Sequence, residues 1–192
     1  MNDSYGYTIV FMLVLSAVFT TVLAVTQGAY LPVISENERN VERKAILKVL
    51  NIEPGPSASS VFEERVVPAA VGDWDAYLAY DDGGHPLGYA FPLNGQGLWG
   101  SIRGFIGISP GFDRLLGLEF VEQNETPGLG GRIDEAWFKN QFQGLELRAG
   151  EDIAYGSGLD AITGATSSSQ AVLSLLNAAI AELLPLKEVV GS

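Results

Sequence analysis

The chain has 192 residues, one histidine, no cysteine and a formal net charge of −12, a length that holds one folded domain plus an anchor. Its acidity argues against nucleic acid as a partner, because phosphate backbones need a basic surface, and gives no support to docking on anionic lipid. Without cysteine there is no thiol redox chemistry, iron–sulfur cluster or thiolate zinc site, and His85 alone cannot build a multi-histidine metal centre.

From residue 4 to residue 35 no side chain is charged. The apolar run over residues 8–29 reaches the ~20 residues that a spanning helix requires. Tyr5, Tyr7 and Tyr30 bracket it as interfacial anchors do. A cleaved signal peptide is the competing reading, but no Lys or Arg precedes the run, and the run exceeds the usual ~7–15-residue signal core. Residues 1–35 are therefore read as an uncleaved single-pass anchor. Arg39, Arg43, Lys44 and Lys48 come after it, and a positive-inside count places the rest of the chain in the cytoplasm.

Residues 37–50 carry Val41, Ala45, Ile46, Val49 and Leu50 at helical spacing, which predicts an amphipathic helix ended by Pro54-Gly55-Pro56-Ser57. Residues 61–67 read as a strand or a short helix. Residues 75–80 and 86–91 read as a hairpin around the Asp81-Asp82-Gly83-Gly84 turn, with His85 solvated beside it. Residues 100–109 and 115–123 are two further strands, turned by Pro110-Gly111-Phe112-Asp113. A short helix over 136–143, a short strand over 145–147 and a glycine-rich loop over 152–159 come next. The last element is a helix over 167–184, with Ala171, Leu175, Ala178, Ala179 and Leu183 on one face and Pro185 as its stop. A block of strands with helices at its ends predicts an α+β fold: an N-terminal transmembrane helix, then a single domain with a mainly antiparallel sheet and flanking helices.

Three segments can carry chemistry. Asp160-Ala161-Ile162-Thr163-Gly164-Ala165-Thr166, with Ser167-Ser168-Ser169 after it, opens the last helix. A helix start presents unpaired N–H groups and partial positive charge, so phosphate binds well there. Gly164 and Ala165 permit close backbone approach, Thr163, Ser167 and Ser168 add hydroxyls, and Thr166 offers an oxygen for a phosphoester. The plainer alternative is that Thr163 or Thr166 only caps the helix. Glu125-Thr126-Pro127-Gly128-Leu129-Gly130-Gly131 is a tight loop exposing backbone N–H groups, which an ordinary turn also does. Gly95-Gln96-Gly97-Leu98-Trp99-Gly100 places a tryptophan in a glycine-rich turn, where a core or interface role is the plainer reading. Arg132 and Lys139 read as surface residues, and either could stand near a bound anion. Thr166 lies near no histidine in sequence and is not N-terminal, so no base is in view for a threonine hydrolase.

In order along the chain, these motifs resemble those of the FMN-binding subunits of respiratory electron-transport complexes: the NqrC subunit of the Na+-translocating NADH:quinone oxidoreductase and the RnfG subunit of the Rnf complex. The resemblance runs from the anchor to the last helix. It implies an FMN-binding domain over residues 57–192, with residues 36–56 as amphipathic helix and linker. It implies FMN held covalently, as a phosphoester, on Thr166, the final threonine of its motif. Asp160, which matches the motif's acidic residue, Thr163, Gly164, Ala165 and Ser167 would surround the attachment. Glu125, Thr126, Gly128 and Leu129 would line the isoalloxazine or ribityl pocket, with Leu129 on the ring face and Gly97, Leu98 and Trp99 as further neighbours. The implied function is electron relay between membrane subunits of an Rnf-type ferredoxin:NAD or Na+-translocating NADH:quinone complex, without independent catalysis. A flavin transferase using FAD and Mg2+ would attach the cofactor. The resemblance places the flavin domain on the outer face of the cytoplasmic membrane, against the positive-inside count. A stand-alone flavinylated extracytoplasmic reductase shares every motif. An unmodified anchored binding or structural module is the alternative from another class.

Overall fold

The computed structural model describes residues 3–156 and 158–190. Ser157, inside the expected 152–159 loop, lies outside them, as do residues 1, 2, 191 and 192 at the ends of the expected anchor and domain. The chain divides into two units, residues 1–39 and 40–192.

Helix α1 (Asp3–Val49) opens the chain. In the first unit its large apolar side chains, from Ile9 to Ile34, are exposed. Its length and composition suffice to cross a membrane.

The second unit takes the end of α1 into its core, where Ala45, Ile46, Leu47, Val49 and Leu50 are buried. The helix stops before the Pro54-Gly55-Pro56 segment expected to stop it. Asn51 adopts φ 58°, the Ile52 N–H bonds to the Leu47 carbonyl at 2.9 Å, and the Asn51 N–H bonds to the Lys48 carbonyl at 3.0 Å. This left-handed closure satisfies two of the helix's last carbonyls. Ser57 then caps α2 (Ala58–Arg65), its hydroxyl accepting from the Ser60 N–H. The stretch read as strand or helix is thus both: helix to Arg65, then strand β1 (Val66–Val71).

β2 (Trp74–Tyr80), β3 (Pro86–Gln96), β4 (Ser101–Ile108) and β5 (Leu115–Gln123) continue an antiparallel meander in the order β1-β2-β3-β4-β5. β3 runs five residues beyond the expected end at Phe91. Pro92 does not break it, because the pairing with β2 ends at Tyr77↔Ala90 and Pro92 has a strand neighbour only in β4. The segment expected as a strand over 145–147 makes only a single bridge, Arg114↔Glu146.

Helices cover the sheet on both faces. On one face, Ala79, Ala90 and Phe105 pack with the end of α1 and with Ala58, Val61 and Phe62 of α2. On the other, Phe91, Leu93, Ile102, Ile106, Leu118 and Phe120 pack with α3 (Ala136–Asn140) and α4 (Thr166–Leu183). Burial on both faces explains why β4 is buried without interruption from Gly104 to Ile108. The end of α1 reaches the sheet over the cross-strand pair Gly107↔Gly117. A Cβ at Gly107 would collide with the Val49 carbonyl oxygen, and one at Gly117 would lie 3.0 Å from the Val49 Cα.

α4 is a core helix, although its length and composition would also cross a membrane. Its buried face is Ser168, Ser169, Val172, Leu173, Leu176, Ala179, Ile180 and Leu183. Of the expected face, Ala179 and Leu183 are buried, but Ala178 is exposed and Ala171 and Leu175 are half-buried. The exposed side of the helix carries Ser167, Gln170, Ser174, Ala178 and Glu182, and its bulkiest side chains, not its alanines, set which side turns inward. Pro185 sits at the start of a short 3-10 turn over Leu184–Leu186, where the α-helical pattern ends.

Candidate cofactor site

The start of α4 is built by two similar turns. In the first, the Ala165 N–H bonds to the Ile162 carbonyl at 2.9 Å, and Gly164 takes φ 82°. A bulkier residue at that left-handed position would be strained. In the second, the Leu129 N–H bonds to the Thr126 carbonyl at 3.1 Å, with Pro127 and Gly128 (φ 75°) at its corners. The two turns meet: Leu129 Cδ2 lies 4.0 Å from where a Gly164 Cβ would stand. Leu129 is otherwise 51% exposed.

Thr166 is the first residue of α4. The cap position belongs to Ala165, with no side-chain hydrogen bond at the helix start. Neither Thr163 nor Thr166 therefore acts as a capping residue, and both are exposed, as are Asp160, Gly164 and Ser167. Ala165 is buried. The helix start keeps its backbone N–H groups and its partial positive charge for another partner.

The serine run divides by function. The Ser169 hydroxyl donates to the Ala165 carbonyl at 3.0 Å and accepts from the Ile162 N–H at 2.9 Å. It thus bolts the motif onto the helix from below. The Ser168 hydroxyl, read from sequence as a donor toward phosphate, instead donates to the Glu125 carboxylate inside the protein. Asp160 contributes through its backbone: its N–H donates to Gln141 Oε1 at 2.7 Å, and its carbonyl accepts from Gln141 Nε2 at 3.0 Å. The ties by Ser169 and Gln141 escaped the sequence reading, and the 19-residue separation of Gln141 from Asp160 leaves no local signal.

Glu125 is buried, 4% exposed, and its second carboxylate oxygen accepts from the Trp99 N–H at 3.0 Å. The tip between β3 and β4 closes through a Gly97 N–H bond to the Gly100 carbonyl at 2.7 Å. From it Leu98 and Trp99 project into solvent, 55% and 72% exposed. Trp99 is thus not a core residue. Gly97 and Leu98 face Thr166, Ser167, Gln170, Ala171 and Ser174 across an open groove of about 530 Å³. Gln170, Ala171 and Ser174 were not among the expected site residues. Thr126 and Gly128 lie exposed on the neighbouring loop.

Lys139 corrects an expectation. It is buried, not a surface residue, and its ammonium sits 2.9 Å from both Glu119 and Asp134. Arg132 pairs with Glu135 at 3.2 Å and lies over the Trp137 ring. His85 is solvated as expected, and its backbone N–H, bonded to Asp81, holds that carboxyl below its ordinary range.

A helix start free of side-chain caps, with an exposed threonine, a glycine turn and a groove edged by exposed Leu98, is an arrangement able to receive a phosphate-bearing cofactor. The family model for the FMN-binding domain matches residues 97–181, a span that holds the Glu125 and Asp160 motifs whole and the third motif from Gly97 onward. The G subunit of an ion-translocating oxidoreductase complex from Methanosarcina acetivorans is 33% identical over 186 residues, covering 94% of this chain and 96% of the relative. The chain belongs to this family of FMN-binding-domain subunits. It is also 32% identical, over 109 residues, to the C subunit of the Na(+)-translocating NADH-quinone reductase of Pasteurella multocida, covering 51% of this chain and 42% of that one. The crystal structure of Shewanella oneidensis NqrC superposes with a TM-score of 0.68, over 82% of this chain and 99% of that one. At 17% identity, that likeness speaks for the fold.

Proposed function

We propose that this protein is a membrane-anchored electron carrier whose FMN is joined through its phosphate to the Thr166 hydroxyl. The observation that carries the reading is the exposed Thr166 at a helix start without a side-chain cap, beside an open groove. The residues present fit the group. A phosphodiester on Thr166 would keep one negative charge, which the α4 start stabilises. Gly164 leaves the approach open, and Thr163 and Ser167 offer hydroxyls beside it. Leu129, Leu98 and Trp99 offer exposed apolar surface for a ring system. Thr126 and Gly128 shape the loop that presents Leu129, Glu125 supports it from inside, and Asp160 and Ala165 fix the turn before Thr166.

Bound flavin supplies reversible uptake and release of electrons. The chain's own part is to hold it, orient it and set its surroundings. Covalent attachment suits a carrier outside the cytoplasm, where a lost FMN is not replaced. Residues 1–35 then anchor the protein in the cytoplasmic membrane, and residues 57–192 hold the flavin on its outer face. The names of the relatives support a place among other membrane subunits of an Rnf-type or Na+-translocating NADH:quinone complex. A flavin transferase using FAD and Mg2+ would load Thr166.

In-gel fluorescence after denaturation is the test, because only a covalent flavin survives it. The native protein is expected to fluoresce, and a dark band from flavin-replete cells that express the transferase contradicts the proposal.

A further inference from the structure

We propose that Glu125 is a positioning residue: through two hydrogen bonds its buried carboxylate fastens the Leu98–Trp99 tip to the first turn of α4. The inference rests on the flavin reading for its consequence, but not for its geometry.

The carboxylate joins three segments that are distant in sequence. One oxygen accepts from the Trp99 N–H at 3.0 Å, and the other accepts from the Ser168 hydroxyl. Glu125 itself is steadied by its own N–H, which donates to Gln123 Oε1 at 2.8 Å. At 4% exposure, the side chain is not available as a wall of the groove. A buried carboxylate needs such donors, and removing it strands them.

Two glycines make the room. A Cβ on Gly97 would collide with Glu125 Oε1 and lie 2.9 Å from Ile102 Cδ1. A Cβ on Gly130 would collide with the Ser168 hydroxyl and lie 2.7 Å from Glu125 Oε2. The glycines of two separate motifs thus serve one buried carboxylate.

The clamp has two effects. It holds the tip that carries exposed Leu98 and Trp99, with Leu98 across the groove from Thr166, although neither side chain is itself packed in the core. It also withdraws Ser168 from the hydroxyls at the helix start. With Ser169 occupied by Ala165 and Ile162, the exposed hydroxyls of the segment are those of Thr163, Thr166 and Ser167.

The first arm of the test needs no flavin. Site-resolved amide exchange is measured on the full chain in detergent, in a Thr166→Ala background. Glu125→Ala is expected to speed exchange of the Trp99 amide about tenfold or more, the scale of one lost hydrogen bond to a charged group, while the Val172 and Leu176 amides stay unchanged. Glu125→Gln keeps an acceptor for Trp99 and gains a donor for Ser168, and is expected to restore slow exchange. Unchanged Trp99 exchange in Glu125→Ala overturns the proposal. Equal acceleration at Val172 and Leu176 also overturns it, because Glu125 would then be only a fold element.

The second arm restores Thr166 and adds transferase and FAD. Glu125→Ala is expected to lower the flavinylated fraction several-fold, with rescue by Glu125→Gln. Equal loading of all variants overturns the consequence drawn for the site. If no variant, wild type included, takes up flavin while the exchange arm holds, the failure belongs to the flavin reading and not to the clamp.

Discussion

At the scale of single residues, the site is governed by which polar groups are occupied. Of the hydroxyls between Thr163 and Ser169, two are engaged inside the protein, and the sequence cannot reveal this, because all five are chemically alike. The Thr166 motif itself was legible, since a glycine turn before a long helix is a local signal. The inward turn of Glu125 and the burial of Lys139 were not, because each depends on partners far along the chain. Lys139 is the clearest case: Glu119 lies 20 residues away, and it also pairs with Lys48 at 3.0 Å. Lys139→Ala leaves the mostly buried Glu119 carboxylate with Lys48 but one fewer cation and is expected to destabilise the domain by about 1–3 kcal/mol. Urea unfolding of the domain measures this, and a change below ~0.5 kcal/mol, typical of surface positions, contradicts the burial argument.

At the scale of elements, the strands were read best. β5 matches its expected span, and the Asp81–Gly84 hairpin formed as its turn chemistry required. Apolar periodicity marks the buried Ala45, Ile46, Val49 and Leu50 at the end of α1, but on α4 it points to a face that the structure rotates. The apolar face over residues 37–50 signals that the end of α1 packs, but where it meets the sheet is marked only by two glycines. Gly107→Ala puts a methyl into the Val49 carbonyl and is expected to cost about 1–3 kcal/mol by overpacking; the midpoint of chemical denaturation reports it, and an unchanged midpoint excludes the close approach.

The strap before α4 gives a pH prediction. The Tyr155 hydroxyl donates to the Ser169 carbonyl at 2.8 Å, and burial pushes its pKa up to about 12 from 10.0. An acid whose folded pKa is raised contributes stability that is fully present below pH 10 and is lost as pH rises from 10 toward about 12. Wild-type stability is expected to fall across that window, and Tyr155→Phe to flatten the fall. An equally steep fall in the variant removes Tyr155 as its source.

At the scale of the whole molecule, the sequence predicts a folded domain that starts at residue 57, after a linker. The structure packs Ala45, Ile46, Leu47, Val49, Leu50 and Ile52 in the core on one face of the sheet. Each large aliphatic side chain contributes ~1.5–3 kcal/mol by burial, so together they rival the ~5–15 kcal/mol stability of a whole domain. A chain starting at Asn40 is expected to fold in the absence of detergent, and one starting at Ser57 to lose cooperative unfolding in calorimetry. Cooperative unfolding of the shorter chain would return the boundary to residue 57.

The central claim, that Thr166 carries the flavin, is tested most directly by intact mass of the full chain purified from cells that express a flavin transferase. The expected result is a mass increment for one FMN in wild type and in Thr163→Ala, and none in Thr166→Ala. An unmodified wild-type mass, or an increment that persists in Thr166→Ala, contradicts it.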